Sequence, residues 1–175
     1  LTKLTSSKYK DNIAFQNELP NILVKLGFTK EKAMYLADKI VVDASRGAGH
    51  AWGAQMKGEK AHLRSRIGKN GMDYKGYNIA LHEFGHNVEQ TFSLYNVPEY
   101  MISGVPNTAF TEAMAFLFQQ RDMKVLGLAN TNEETEYLHT LDSYWSAFEI
   151  MGVSLVDMYA WKWLYDNPNA NAKEL

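Results

Sequence analysis

The densest chemistry in this chain sits in His82-Glu83-Phe84-Gly85-His86, where two imidazoles lie four positions apart with a glutamate beside the first. On a helix that spacing puts both rings on one face, a turn apart, where their nitrogens can reach a single ion. The glutamate is angled past such an ion, so its carboxylate can take a proton from a water the ion polarises. Two surface histidines beside a solvated glutamate would be the bland account of the same letters. The chain has no cysteine, which removes disulfides, thiolate metal sites and a cysteine nucleophile together. Any metal must be held by histidine and carboxylate.

A catalytic zinc keeps three protein ligands and leaves one position for water, so a third ligand is expected. A histidine six residues after His86 would make a metzincin, but that position is Phe92. Glu89, one turn beyond His86, reads as pointing along the helix axis into solvent, and Glu99 lies in a Pro-flanked loop. Glu112 differs: in Thr108-Ala109-Phe110-Thr111-Glu112-Ala113-Met114-Ala115-Phe116 it is a carboxylate among apolar and small residues. A carboxylate withdrawn from water needs a partner, and a cation is the obvious one. Ala113 and Ala115 would let this segment pack closely on the histidine helix. The expected site is one Zn²⁺ ion on His82, His86 and Glu112 with Glu83 as general base; a helix-end salt bridge is the alternative for Glu112.

The elements that must position these residues are mostly helical. Apolar periodicity predicts helix from about Ser7 to Leu26, broken at Pro20 and closed by Gly27. A second is predicted from Thr29 as N-cap to about Ser45. Gly47 to Gly76 holds seven glycines and no helical period. Within it Ala61 to Ile67 reads as an extended strand and Gly68-Lys69-Asn70-Gly71 as a turn, which makes this the small β element. Helix is predicted again from Tyr77 to about Tyr95, and, after a loop with Pro98, Gly104 and Pro106, from about Asn107 to Leu126, stopped by Gly127. Thr131 and Glu134 read as a capping box for the following helix, and a last aromatic helix covers about Val153 to Tyr165 before Pro168. No repeat, low-complexity tract or linker interrupts the chain, so residues 1–175 are expected to form a single domain.

Composition excludes other classes. The 18 basic and 20 acidic residues are interspersed, giving a net charge of -2 and no electrostatic footprint for nucleic acid or an anionic membrane. No apolar run is long enough to span a bilayer, and Leu1 to Lys10 lacks a signal-peptide core, so the chain reads as soluble with its compartment open. It begins at Leu1 instead of a methionine, which suggests a processed or excised piece.

From His82 to Phe116 the chain resembles the gluzincin metallopeptidases, which carry H-E-x-x-H on one helix and a ligating glutamate on the next. It is most similar to their mainly helical group, which contains angiotensin-converting enzyme and the thimet-type oligopeptidases. The His-Glu-Phe-Gly-His form, Tyr95-Asn96-Val97-Pro98, Gly104-Val105-Pro106-Asn107 and Phe110-Thr111-Glu112-Ala113 carry that likeness over about the middle 70 residues. The resemblance implies a mainly α, zincin-like peptidase core with a small β element, and a peptide substrate paired along an edge strand near Arg64-Ser65-Arg66-Ile67. Two departures stand out. The family's aspartate four residues after the ligating glutamate, which orients the first histidine, is replaced by Phe116, leaving Asp43, Asp73, Gln119 and Asp142 as unranked substitutes. The family's oxyanion-stabilising histidine and tyrosine lie further along than this chain extends. That implies a catalytic core cut from a longer enzyme whose remainder is a partner, with Tyr137, His139, Tyr144 and Tyr159 as stand-ins.

Arg64 and Arg66 alternate with Leu63, Ser65 and Ile67, so they share a strand face and could meet a peptide carboxylate; a solvated face explains them equally. His50 and His62 flank the strand and read as structural or surface residues before ligands. Tyr144, Trp145, Phe148, Tyr159, Trp161, Trp163 and Tyr165 read as core, or as a surface that another segment covers. The expected activity is hydrolysis of peptide bonds by a metal-activated water. The rival reading is a zinc-stabilised binding domain without catalysis, or an inactive peptidase core. Glu83 argues against it, because a structural site has no use for a base and normally takes four protein ligands.

Overall fold

The computed structural model describes residues 1–104, 107–128 and 132–175. It is mainly helical with a small three-stranded sheet, and it divides into two compact units, Leu1–Ala129 and Asn130–Leu175. The first unit contains helices α1 (Thr2–Lys8), α2 (Asn12–Leu26) and α3 (Lys30–Asp38), strands β1 (Ile40–Ser45), β2 (His50–Trp52) and β3 (Ala61–Arg66), then helices α4 (Tyr74–Asn96), α5 (Thr108–Gln119) and α6 (Asp122–Leu126). The second contains α7 (Glu133–Asp166).

Local chemistry explains the helix starts. Asp11, Thr29, Asp73 and Asn107 each stand in extended backbone and accept a hydrogen bond from the N–H three residues on, which satisfies donors the helix leaves free. Asp73 also pairs with Arg66, tying the start of α4 to the end of β3. Ser65 Oγ donates to Gly76 O at 2.7 Å at the same junction.

Helix α2 continues through Pro20, where the sequence predicts a break. Leu19, Ile22 and Leu23 on either side are fully buried, and that packing outweighs the backbone bond Pro20 cannot donate. The predicted second helix is shorter than its pattern, because α3 stops at Asp38 and Ile40–Ser45 forms β1. Ile40, Val41 and Val42 are β-branched and fit a pleated surface better than a helix face.

The sheet order is β1-β3-β2, with β1 parallel and β2 antiparallel to β3. The predicted strand therefore exists, but it is the central strand and not an edge. Its inward residues Ala61, Leu63 and Ser65 are buried and face α4. The core continues through Tyr77, Leu81, Phe84 and Val88 on one side of α4, which leaves the opposite side of that helix for Asn78, His82 and His86.

The helix predicted from Asn107 to Leu126 is broken at Gln120–Arg121, giving α5 and α6. Asp122 at the break is buried, and its carboxylate accepts from the Tyr74 hydroxyl, the Asn78 amide and the Met123 N–H. In the second unit, α7 is continuous across Gly152, where the sequence suggests two helices. Its N-cap is Asn132, whose side chain accepts from Thr135 N; the predicted capping residue Thr131, like Pro106 of the predicted loop, lies outside the described residues. No residue of α7 is buried, so Trp145, Tyr159 and Trp161 are exposed and not core. Among the described residues, no helix is long and apolar enough to cross a membrane.

Candidate metal centre

Helix α4 delivers His82 and His86 one turn apart, with ring centroids 4.9 Å from each other. Helix α5 brings Glu112 across from them, with His82 Nε2 3.3 Å from one carboxylate oxygen and His86 Nε2 3.5 Å from the other. These three side chains offer ligand atoms that all lie within 4.8 Å of one another. A tetrahedral ion with bonds of about 2.05 Å sets its ligand atoms about 3.3 Å apart, and each imidazole nitrogen stands near that distance from one of the two Glu112 oxygens. Two imidazoles and a carboxylate also match the donor set of a catalytic zinc, and all three residues are half-buried, which leaves an open side.

The close approach of the two helices depends on Gly85. A Cβ added there would stand 2.7 Å from Ala115 Cα and 2.9 Å from Met114 O, inside any permitted contact. Ala115 is fully buried at this crossing. The small residues at positions 85 and 115 thus set how near Glu112 comes to the histidines.

Glu83 points into the same cleft from beside His82. Burial raises its pKa above the ordinary carboxylate value; the nearby His82 and His50 rings and the Ala51 backbone amide oppose that shift, and Glu112 reinforces it. Burial also lowers the His86 pKa, with Glu112 opposing, and so favours the neutral imidazole a metal needs. The segment before β2 passes directly over this helix: a Cβ at Gly49 would collide with Ile79 Cγ2 and meet Glu83 at 3.1 Å.

Of the four candidates for orienting His82, the structure selects Gln119. Its Oε1 is 2.9 Å from His82 Nδ1. Asp43 instead pairs with His62 at 2.7 Å on the outer sheet face, Asp73 caps α4, and Asp142 belongs to α7. Phe116, four residues after Glu112, packs edge-on against the His82 ring at 5.1 Å. Behind Gln119 runs a chain the sequence does not reveal: Gln119 Nε2 donates to Asn78 Oδ1 at 2.6 Å, and Asn78 Nδ2 donates to Asp122 Oδ2 at 2.8 Å. Only spacing hinted at it, since Asn78 precedes His82 by one turn and Gln119 follows Glu112 by two.

A cleft of about 920 Å³ opens over the triad, walled by the β2 segment on one side and by Gln90, Ser93, Met101 and Thr111 elsewhere. Glu89, read from sequence as solvated, is buried in its wall, and burial raises its pKa. An apolar pocket of about 310 Å³, bordered by Phe92, Ile102, Phe110 and Met114, adjoins the cleft at Glu89 and Ser93.

Arg64 and Arg66 do share the exposed face of β3, but neither lines this cleft. Arg64 borders a separate hollow with Trp52 and His62, and Arg66 is held by Asp73. His50 does line the cleft, from β2. Tyr137, His139, Tyr144 and Tyr159 are exposed residues of α7 in the second unit.

Compared with family models, curated proteins and solved structures, the chain finds no match. Its geometry is therefore the ground for a functional reading.

Proposed function

We propose that this chain is a zinc-dependent peptidase core of gluzincin type, with His82, His86 and Glu112 as ligands and Glu83 as general base. The observation that carries the reading is the convergence of His82, His86 and Glu112, their ligand atoms all within 4.8 Å of one another, with the carboxylate of Glu83 in the same open cleft. A zinc ion held there would supply the Lewis acid that polarises a scissile carbonyl and acidifies the attacking water. Glu83, beside His82 and turned into the cleft, would be the base that accepts the proton of such a water and hands it to the leaving amine. The β2 segment, whose second edge is not paired within the described sheet, offers backbone groups to an extended peptide. The adjoining apolar pocket suits an apolar side chain of the substrate. The open fourth position favours catalysis over a structural zinc, which takes four protein ligands.

The test is peptide turnover by wild type and Glu83→Gln at equal zinc occupancy. The variant should bind zinc as wild type does and lose about 10²- to 10⁴-fold in kcat, the usual contribution of a positioned base. Wild-type turnover in Glu83→Gln would remove the base from the account.

A further inference from the structure

We propose that Asp122, which touches no ligand, determines which nitrogen of His82 faces the metal, acting through the side-chain amides of Asn78 and Gln119. The inference rests on the proposed metal site and concerns how it is set up. A carboxylate can only accept hydrogen bonds, whereas an amide has one accepting end and one donating end. Asp122 already gathers donors from the Tyr74 hydroxyl at 2.6 Å and from the Met123 N–H, and burial with Asp122 raises the Tyr74 pKa to about 12, so that the phenol stays a donor.

The orientation of every later group follows from that one fixed acceptor. Asn78 must turn its NH₂ to Asp122, at 2.8 Å, so its oxygen faces Gln119. Gln119 must turn its NH₂ to that oxygen, at 2.6 Å, so its own oxygen faces His82 Nδ1 at 2.9 Å. His82 Nδ1 then has to carry the proton, and Nε2, the atom nearest Glu112, is left with the free lone pair a metal requires. Reversing any one amide would put two donors or two acceptors face to face. Asn78, Gln119 and Asp122 are in this sense positioning residues. The arrangement also accounts for Phe116: with orientation supplied by Gln119 at the end of α5, the position four residues after Glu112 is free to pack a ring on His82.

The direction of the relay makes an unusual pattern of variants expected. Gln119→Glu puts a carboxylate directly on His82, but its other oxygen then confronts the oxygen Asn78 is compelled to present, so zinc binding weakens. Asp122→Asn supplies a group that can donate as well as accept, which loosens the orientation of Asn78 and also weakens zinc binding. Combined, the two changes agree again: the new amide at position 122 donates to the Asn78 oxygen, Asn78 turns its NH₂ to the new carboxylate at position 119, and that carboxylate accepts from His82. Each single variant should lose about 10- to 100-fold in zinc affinity, the usual effect of disturbing such a partner, and the double variant should recover most of it. Adding Asn78→Ala to all three should abolish the recovery, because residues 119 and 122 communicate only through that amide.

The decisive readouts are zinc affinity by chelator competition across this cycle, and the imidazole ¹⁵N shifts of His82 in zinc-free wild-type protein. The proposal expects rescue in the double variant and a protonated Nδ1 with an unprotonated Nε2 in the wild type. Additive losses in stably folded variants, or a wild-type His82 protonated on Nε2, would overturn it. If the variants do not fold, the wild-type shifts alone decide. A wild type that binds no zinc at His82, His86 and Glu112, yet carries the Nδ1 proton, would sink the peptidase reading and leave the relay standing.

Discussion

Gly85→Ala is the substitution whose effect can be worked most fully from the packing. Its new Cβ would lie 2.7 Å from Ala115 Cα, a backbone atom that cannot rotate away. Carbon atoms in contact prefer about 3.5–4.0 Å, so α5 must retreat by roughly 1 Å. Glu112 is one turn before Ala115 on the same helix and moves with it. Its oxygens now stand 3.3 and 3.5 Å from the histidine nitrogens, and metal–ligand distances tolerate only about 0.2 Å. Forcing an extra methyl into such a contact costs about 1–3 kcal/mol. If zinc must pull the helices back together, that cost converts to about a 5- to 150-fold loss of zinc affinity. The assay is chelator competition on Gly85→Ala, with thermal unfolding of the zinc-free protein alongside. Gly47→Ala is the control, since nothing lies within 4 Å of a Cβ there. Unchanged affinity and unchanged unfolding in Gly85→Ala would mean that α4 and α5 do not cross at this residue, and Glu112 would lose its claim as a ligand.

Gly49→Ala should depress kcat with zinc affinity close to wild type, because its Cβ pushes on Ile79 and Glu83 and touches no ligand; a purely zinc-affinity defect would contradict that placement. Glu89→Gln should raise the unfolding temperature of zinc-free protein at about pH 8 and lose that advantage toward about pH 4. The sign follows from burial. A carboxyl whose folded pKa is raised leaves the protein most stable below its unfolded value and costs stability as pH rises through the folded one, and the amide escapes that cost. A pH-independent difference between the two proteins would show that Glu89 is not desolvated.

The parts of the site that were legible in sequence are those with local signatures. His82 and His86 announce themselves because helical periodicity turns a four-residue spacing into one face, and Glu112 because a carboxylate among Phe110, Ala113 and Ala115 needs an explanation. Strand β3 was legible from its alternation, but its central position was not, since partner choice is a long-range matter that Ala61–Arg66 does not encode. That is why Arg64 and Arg66 end on the outer face, while Gly49, His50 and Ala51 border the cleft. Ile40–Val42 reads as the end of a helix because a short apolar run has no decisive period. The Gln119–Asn78–Asp122 chain is invisible because amides are common surface residues, and only tertiary packing brings positions 78, 119 and 122 together. The helix after the predicted capping box and the aromatic helix from about Val153 prove to be one, because the single glycine between them, Gly152, does not interrupt α7.

The central claim is that three side chains from two helices hold one zinc ion in a site open to substrate. It is tested most directly by an anomalous difference map collected at the zinc edge, from crystals of protein prepared without chelator. The account predicts one peak within bonding distance, about 2.0–2.2 Å, of His82 Nε2, His86 Nε2 and a Glu112 carboxylate oxygen, with Glu83 outside that distance. No peak among these atoms, or a peak with Glu83 as a ligand in place of Glu112, would contradict it.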